Sequence, residues 1–213
     1  MDLSEKFTGV KIFFDLDGTL IDSKERLYRL FQHLVPASSL TFDEYWRLKK
    51  NKIDHRKILE TKYSFAEQEV VSFNRNWMEK IESPEWLALD KPLKGVSDFL
   101  EAQKKENELY LVTARQFELS VLKQLANFGW TNIFTKIFVT QRKAEKIDLI
   151  KNSVITNSND WFVGDTGKDI ETGKGLGIQT AAVLSGFLSL EKLMEYGPDL
   201  IIDNVIDFKP LKD

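Results

Sequence analysis

The stretch VKIFFDLDGTLIDS, residues 10–23, begins as a run of apolar and aromatic residues and then changes abruptly to acidic residues and glycine. Its first half is typical of a buried β-strand. Asp15 and Asp17 follow that strand directly, although carboxylates are costly to remove from water unless they are paired or bind a metal. The stretch therefore predicts a strand that delivers two carboxylates to a functional site.

Similar short apolar runs recur along the chain, with helical patterns between them. The predicted strands are 10–14, 108–112, 136–140, 161–164 and 180–184. Apolar residues recur at helical spacing over 95–106 and 117–128, and Gly129 is a typical C-terminal stop for the second helix. Near-continuous apolar strands that alternate with helices predict an α/β fold with a mostly parallel sheet, covered on both faces.

The region between the first two strands has a different pattern. ERLYRLFQHL (25–34) is amphipathic, while TFDE (41–44) and SFAE (64–67) both match the capping box that opens a helix. The second box would begin a helix over 64–82, and we find no strand pattern in this region. The predicted division is a core of residues 1–22 and 91–213 and a helical insertion of residues 23–90.

Composition narrows the class of protein. Of 213 residues, 42% are hydrophobic and 30% are charged, as is usual for a globular chain, and the absence of cysteine excludes disulfides, thiolate catalysis and cysteine-ligated zinc. The net charge is −3 with both signs mixed along the chain, so we expect no nucleic-acid partner. No signal peptide or membrane-spanning run is found, which predicts a cytoplasmic protein without a membrane partner. From the size of the chain we expect a monomer or weak homodimer.

Polar side chains follow four of the predicted strands at the point where each strand ends. Those with phosphate- or metal-binding chemistry are Asp15, Asp17, Thr113, Lys143, Asp165 and Asp169. The carboxyl ends of parallel strands meet at one edge of the sheet, so we expect one shared pocket. Several carboxylates there would repel one another, and Mg²⁺ with a substrate phosphate relieves that repulsion. A lysine and a hydroxyl would bind phosphate oxygens, which makes the pocket suitable for phosphoryl transfer.

The segments FFDLDGTLIDS, LVTAR, the lysine of QRKAEKIDLI and FVGDTGKDI resemble, in this order, the four motifs of the haloacid dehalogenase superfamily. The likeness spans residues 10–185, and the helical insertion resembles the C1 cap of the phosphoglycolate phosphatase-like branch. The resemblance implies a Rossmann-like core with an inserted cap domain. It also implies a Mg²⁺-dependent phosphatase whose partner is a small phosphorylated metabolite.

The resemblance also assigns roles to residues. Asp15 would be the nucleophile that forms an aspartyl-phosphate, and Asp17 would protonate the leaving alkoxide and then activate water. Asp15, the backbone carbonyl of Asp17, and Asp165 would bind Mg²⁺, with Asp169 in support. Thr113 and the motif lysine would hold the phosphoryl group. An aspartate at position 17 implies a phosphate ester as substrate, because the dehalogenase and phosphonatase branches lack it.

Two motifs depart from the usual pattern of the branch. Lys143 is followed by Ala144 where proline is common, and Lys146 is a competitor for the motif lysine. We prefer Lys143 because it opens the predicted helix and because its spacing to the fourth motif fits the family better. Ala114 and Arg115 follow the motif threonine where asparagine is common, and both are candidate substrate contacts; the alternative for Arg115 is that it faces solvent.

A basic stretch in the insertion, LKKNKIDHRK (48–57), is the candidate specificity loop. In capped enzymes that this chain resembles, a loop here closes over the site and selects the substrate. The candidate contacts to an anionic leaving group are Lys50, Lys52, His55 and Arg56, and the alternative is a solvated charged surface. The aromatic residues of the insertion are expected to form its core, not a stacking platform. Hinges near 21–24 and 88–94 would let the insertion open and close.

Other functions remain as alternatives. A phospho-receiver domain also places aspartates, a threonine and a lysine at strand ends, but its acidic pair and its phosphorylated aspartate lie on different strands. A phosphomutase shares every core motif. A non-catalytic phosphate-binding protein of this fold would usually lack one of the carboxylates. We therefore predict a phosphatase, with its substrate open among phosphoglycolate, a sugar phosphate and a nucleotide.

Overall fold

The computed structural model describes residues 9–210, and its centre is a parallel sheet. The strands are β1 (Lys11–Phe14), β2 (Ile21–Asp22), β3 (Lys91–Pro92), β4 (Glu108–Thr113), β5 (Lys136–Val139), β6 (Trp161–Gly164), β7 (Gln179–Val183) and β8 (Leu200–Ile202). Six of them form one sheet in the order β5-β4-β1-β6-β7-β8, in which every neighbouring pair is parallel. The predicted α/β fold is confirmed.

Helices cover this sheet and fill the insertion. They are α1 (Lys24–Leu34), α2 (Phe42–Lys50), α3 (His55–Tyr63), α4 (Glu67–Lys80), α5 (Pro84–Leu87), α6 (Val96–Lys104), α7 (Glu118–Asn127), α8 (Lys146–Lys151), α9 (Gly167–Leu176) and α10 (Leu190–Met194), with a 3₁₀ turn at Val205–Asp207. Over residues 9–210, no helix combines the length and the apolar character that crossing a membrane requires.

The central strand is apolar on both faces because both faces are covered. Ile12 and Phe14 pack into one hydrophobic cluster with residues of α6 and α7, whereas Phe13 packs into another with Phe162 and Ile150. These three apolar side chains of β1 are fully buried. This explains why the sequence shows a continuous apolar run there and not the alternation of a half-exposed strand.

The insertion, residues 23–90, has a hydrophobic cluster of its own. Phe31, Tyr45, Leu59 and Phe73 are among its buried members, so aromatic residues do form the core of this segment, as expected. The chain enters and leaves the insertion through β2 and β3, which pair antiparallel. As predicted, α1–α5 are joined without a strand between them.

One of the two predicted capping boxes is correct. The Thr41 hydroxyl accepts from the Glu44 amide at 3.3 Å, and the Glu44 carboxylate accepts from the Thr41 amide at 2.9 Å. The box at 64–67 is wrong: Ser64 ends α3 in the left-handed region, with a φ of 55°. Helix α4 begins only at Glu67. Residues 64–66, which the pattern assigned to the start of the second helix, form a tight turn between α3 and α4 instead.

Candidate active site

The loop after β1 places Asp15 at the carboxyl edge of the sheet. The Asp15 amide donates to the Val163 carbonyl at 2.9 Å, which extends the pairing of β1 with β6. Gly18 then turns the chain back with a φ of 87°, and a Cβ there would lie 2.6 Å from Oδ2 of Asp165. Glycine is therefore required both for the backbone conformation and for the close approach of the next carboxylate.

Three of the predicted carboxylates form a buried cluster. One oxygen each from Asp15, Asp165 and Asp169 lies within 4.8 Å of the others, and all three residues are buried. Burial raises the pKa of Asp15 to about 7, although Lys146 opposes this rise. Burial, reinforced by Asp15 and Asp169, also raises the pKa of Asp165 well above its usual value. Such a donor set fits a hard divalent cation, whose charge would favour the ionised carboxylates.

The lysine at this cluster is Lys146, and the preference for Lys143 is corrected. The Lys146 ammonium donates to Oδ1 of Asp15 and, at 2.7 Å, to Oδ1 of Asp169. Lys143 is exposed and lies in a neighbouring groove. The cause is an extra turn after β5, in which Gln141 and Arg142 adopt left-handed φ values of 50° and 56°, so that α8 begins three residues later than predicted.

A cavity of about 510 Å³ opens over the acidic cluster. The core residues that line it include Asp15, Thr113, Ala114, Lys146, Lys168 and Phe187. The insertion contributes Arg26, Leu27, Trp77, Ile81 and Glu82. Thr113, the last residue of β4, is only 1% exposed. The structure thus brings the predicted Thr113 and Ala114 to the same cavity as Asp15.

Asp17 lines the same cavity, and its carboxylate belongs to an ion-pair network. Arg115 binds its carboxylate in a bidentate pair, with Nε 2.5 Å from Oδ2 and Nη2 2.7 Å from Oδ1, and Arg26 binds Oδ1 as well. Both arginines also contact Asp90, at 3.1 Å from Arg115 and 2.9 Å from Arg26. We call these four residues the charge ring. Burial alone would raise the pKa of Asp17, but Arg115 and Arg26 lower it to about 2.

The structure contradicts one of the two alternatives for Arg115. Its side chain is buried and paired with Asp17 and Asp90, so it does not face solvent. Arg115 also lines the cavity, and its Nη1 has no hydrogen-bond partner among the described residues, so its contact with a substrate stays a prediction. Arg26 and Asp90 were not identified from the sequence, because neither belongs to a motif. Arg26 lies in an amphipathic helix, where a charged residue is unremarkable, and its position in the ring is visible only in three dimensions.

The basic loop of the insertion does not line the cavity. Lys50 contributes its carbonyl, which accepts from the Ser189 amide of the core at 3.0 Å. Lys52 donates to the Tyr196 hydroxyl at 2.5 Å and lies over the same ring. These contacts dock the loop on the core, and neither Lys50 nor Lys52 lines the cavity over the acidic cluster.

The other two candidates of the loop are also engaged elsewhere. Arg56 forms ion pairs with Glu60 and Glu67 on the outside of the insertion. His55 hydrogen-bonds through Nε2 to the Tyr45 hydroxyl at 2.8 Å, within the aromatic cluster. Burial lowers the pKa of His55 well below its usual value, as expected for a packed, neutral ring.

The insertion contacts the core on both sides of the cavity. On one side, the Glu82 carboxylate accepts from the amides of Gln116 and Phe117, at 2.8 and 3.2 Å, at the start of α7. On the other, the Phe187 amide donates to Oδ2 of Asp165 at 2.7 Å while its ring packs on Trp46, 5.5 Å between centroids. The insertion is therefore held against the core by contacts on both sides of the cavity.

The glycine beside Asp165 gives a direct test of the cluster. A Cβ at Gly186 would lie 2.0 Å from Oδ2 of Asp165, so Gly186→Ala should displace this carboxylate. We expect Mg²⁺ affinity, measured by calorimetry, to fall about 10- to 100-fold. Gly129→Ala is the control: it has open space but a φ of 78°, so it costs stability without touching the site. Equal Mg²⁺ affinity in both variants would contradict the assignment of Asp165 as a ligand.

Comparison with known proteins identifies a matching family and related sequences. The model of the haloacid dehalogenase-like hydrolase family matches residues 12–183. A phosphoglycolate phosphatase from Aquifex aeolicus is 28% identical, over 95% of this chain and 96% of its own. The pyrophosphatase PpaX of Oceanobacillus iheyensis is 27% identical, over 92% and 93%.

Solved structures share the fold. A haloacid dehalogenase-like family hydrolase from Streptococcus pneumoniae superposes with a TM-score of 0.75 at 20% identity, covering 94% of this chain and 96% of that one. The family match spans most of the chain and includes the strands that carry Asp15, Thr113 and Asp165. The predicted enzyme class, a hydrolase whose named relatives are phosphatases, is confirmed. The chain belongs to the haloacid dehalogenase-like hydrolase family.

Proposed function

We propose that this protein is a Mg²⁺-dependent phosphatase that hydrolyses a small phosphomonoester through an aspartyl-phosphate on Asp15. The observation that carries the proposal is the buried Asp15 carboxylate, held by Lys146 beside Asp165 and Asp169 and open to a cavity. The relatives named as phosphoglycolate phosphatases and pyrophosphatases support a small phosphorylated substrate. We assign this activity to a cytoplasmic monomer or weak homodimer, without nucleic-acid or membrane partners.

In the first half-reaction, an oxygen of Asp15 attacks phosphorus. The bond between phosphorus and the ester oxygen breaks, and its electron pair leaves with that oxygen, which takes up a proton. Two of the three ammonium protons of Lys146 are directed at Asp15 and Asp169, so the third is available to a phosphoryl oxygen. Mg²⁺ held by Asp15, Asp165 and Asp169 would supply positive charge against the carboxylates and the phosphoryl oxygens.

In the second half-reaction, water attacks the phosphorus of the aspartyl-phosphate and loses a proton. The bond between phosphorus and the Asp15 oxygen breaks, its electron pair returns to the Asp15 carboxylate, and inorganic phosphate leaves. The charge ring keeps Asp17 ionised, so a free carboxylate is present to accept that proton, while the lowered pKa of Asp17 makes it a weaker base. The same ring opposes protonation of Asp17 before the first step. To act as the acid for an alkoxide, Asp17 therefore has to exchange its bonds with Arg115 for a bond to the substrate.

Phosphate release from a panel of small phosphomonoesters tests the proposal. We expect turnover with Mg²⁺ and none with EDTA, and Asp15→Asn should abolish it because the amide cannot form the intermediate. Asp17→Asn should reduce kcat about 10²- to 10⁴-fold. Asp148→Asn, an exposed carboxylate on α8, is the control and should be fully active.

Two results would overturn the proposal. Metal-independent turnover, or full activity of Asp15→Asn, would exclude this mechanism. Phosphoryl transfer between two sugar phosphates without release of inorganic phosphate would show the phosphomutase alternative instead.

A further inference from the structure

We propose that the site selects phosphomonoesters with an uncharged leaving group that presents an apolar or aromatic face, and that Trp77 recognises this face. This inference rests on the proposed phosphatase function and specifies its substrate class. It departs from the expectation that cationic residues of the insertion bind an anionic leaving group.

The direction of the reaction determines which wall of the cavity meets the leaving group. The attacking carboxylate, Asp15, and the cation Lys146 lie on the core side. In phosphoryl transfer the attacking and leaving oxygens are roughly in line on opposite sides of phosphorus. The leaving group therefore points from the core toward the insertion, whose apolar contribution to the lining is Leu27, Trp77 and Ile81.

The two charged groups on the insertion side are already paired. Arg26 is part of the charge ring, where it binds Asp17 and Asp90. Glu82 is buried, accepts two backbone amides of the core, and would repel a second anion. A carboxylate or second phosphate on the leaving group would thus be desolvated against this wall without a free cation among the insertion residues that line the cavity, which is costly.

The lysine at the rim does not compensate for this. Lys168 lines the cavity from the core side, but its side chain is 79% exposed and lies 3.4 Å from Glu171. An exposed, paired ammonium gives an anion little stabilisation, because water screens it. Arg115 also lines the cavity with an Nη1 that has no hydrogen-bond partner among the described residues, but Asp17 and Asp90 neutralise its charge. Lys168 is the remaining cation at the rim, and Lys168→Ala belongs in the test for that reason.

Trp77 is a fixed aromatic surface at the cavity. Its indole packs on His55, 4.3 Å between centroids, and stacks on Phe73 at 5.7 Å. It is only half-buried, and it lines the cavity. An indole already held in place loses little rotamer freedom when a ligand packs on it, so its contact area contributes fully to binding. Together with Leu27 and Ile81 it forms a wall suited to a ring or a hydrocarbon face.

The test compares benzyl phosphate with phosphoglycolate, since both release a primary alcohol. The leaving group of benzyl phosphate carries an aromatic ring, whereas that of phosphoglycolate carries a carboxylate. With Mg²⁺ present, we expect kcat/KM for benzyl phosphate to be about 10-fold higher or more. Trp77→Leu should reduce this ratio at least about fivefold, mainly through KM, and Trp77→Phe should restore most of it. Trp86→Leu is the matched control, because Trp86 packs on His33 outside the cavity lining.

A gain-of-function variant keeps the inference falsifiable if Trp77 variants fold poorly. Leu27→Arg places a free cation on the apolar wall and should shift the preference toward phosphoglycolate, whereas Lys168→Ala should leave the preference unchanged. A preference of the unaltered enzyme for phosphoglycolate would overturn the inference. A preference for benzyl phosphate that disappears in Lys168→Ala would overturn it as well. Both results would leave the phosphatase function intact.

Binding separates this inference from a failure of the proposed function. If none of the esters is hydrolysed, the dissociation constants of benzylphosphonate and phosphonoacetate still compare the two groups. Tighter binding of benzylphosphonate, weakened by Trp77→Leu, would support the aromatic recognition. Tighter binding of phosphonoacetate would refute it.

Discussion

Replacing Lys146 with methionine should reduce kcat/KM at least about 10²- to 10³-fold, whereas Lys143→Met should change it less than about twofold. The Lys146 ammonium neutralises a buried cluster of three carboxylates and orients the attacking oxygen of Asp15. Methionine fills a similar volume without the charge. Lys143 is exposed, and the ion pairs of the cluster are formed by Lys146. Steady-state kinetics on the best phosphomonoester give both values.

The two lysine variants form a matched pair, since they lie three residues apart and remove the same charge. Circular dichroism and thermal melting should show that Lys146→Met remains folded in the presence of Mg²⁺, which supplies part of the lost charge. The opposite ranking, with Lys143→Met inactive and Lys146→Met active, would assign the motif lysine to Lys143 after all.

Removing Arg26 should have the largest effect on stability. Its side chain is 3% exposed and pairs with Asp17 and with the fully buried Asp90. Arg26→Met leaves both carboxylates short of a partner, and breaking such a buried pair costs about 3–5 kcal/mol of unfolding free energy. Urea denaturation followed by fluorescence measures the difference.

A second arginine of α1 provides the control. Arg29 pairs with Glu25 on the exposed face of the same helix, where a salt bridge contributes little, so Arg29→Met should cost less than about 1 kcal/mol. Combining Arg26→Met with Asp90→Leu should recover part of the loss, because the unpaired charge is removed with its partner. Equal destabilisation by Arg26→Met and Arg29→Met would show that the charge ring does not stabilise the fold.

The sheet was largely predictable because buried parallel strands leave a strong signal. The run at 161–164 matches β6 residue for residue, and the run at 136–140 differs from β5 only at its end. The short strands were missed for a physical reason. β2 and β3 have two residues each, too few for any periodicity, and exist because the chain pairs where it enters and leaves the insertion.

The acidic cluster was predictable and the lysine was not. Asp15, Asp165 and Asp169 follow strands that the pattern located, so the sheet brings them together. The onset of α8 depends on two consecutive left-handed residues, Gln141 and Arg142, and neither is a glycine that would signal such a turn. Long-range pairs such as that of Arg115 with Asp17 depend on tertiary packing, which no local pattern records.

The position of β1 and β6 inside the sheet has a consequence for motion. Both strands are hydrogen-bonded on each side, whereas β5 and β8 form its two edges. Amide hydrogens of interior strands exchange with solvent only in the rarest openings, while edges fray at much lower cost. Asp15 and Asp165 follow these two interior strands directly. We therefore expect the amides next to Asp15 and Asp165 to exchange more slowly than those of β5 and β8, and the spacing of the two carboxylates to persist when the edge strands open locally.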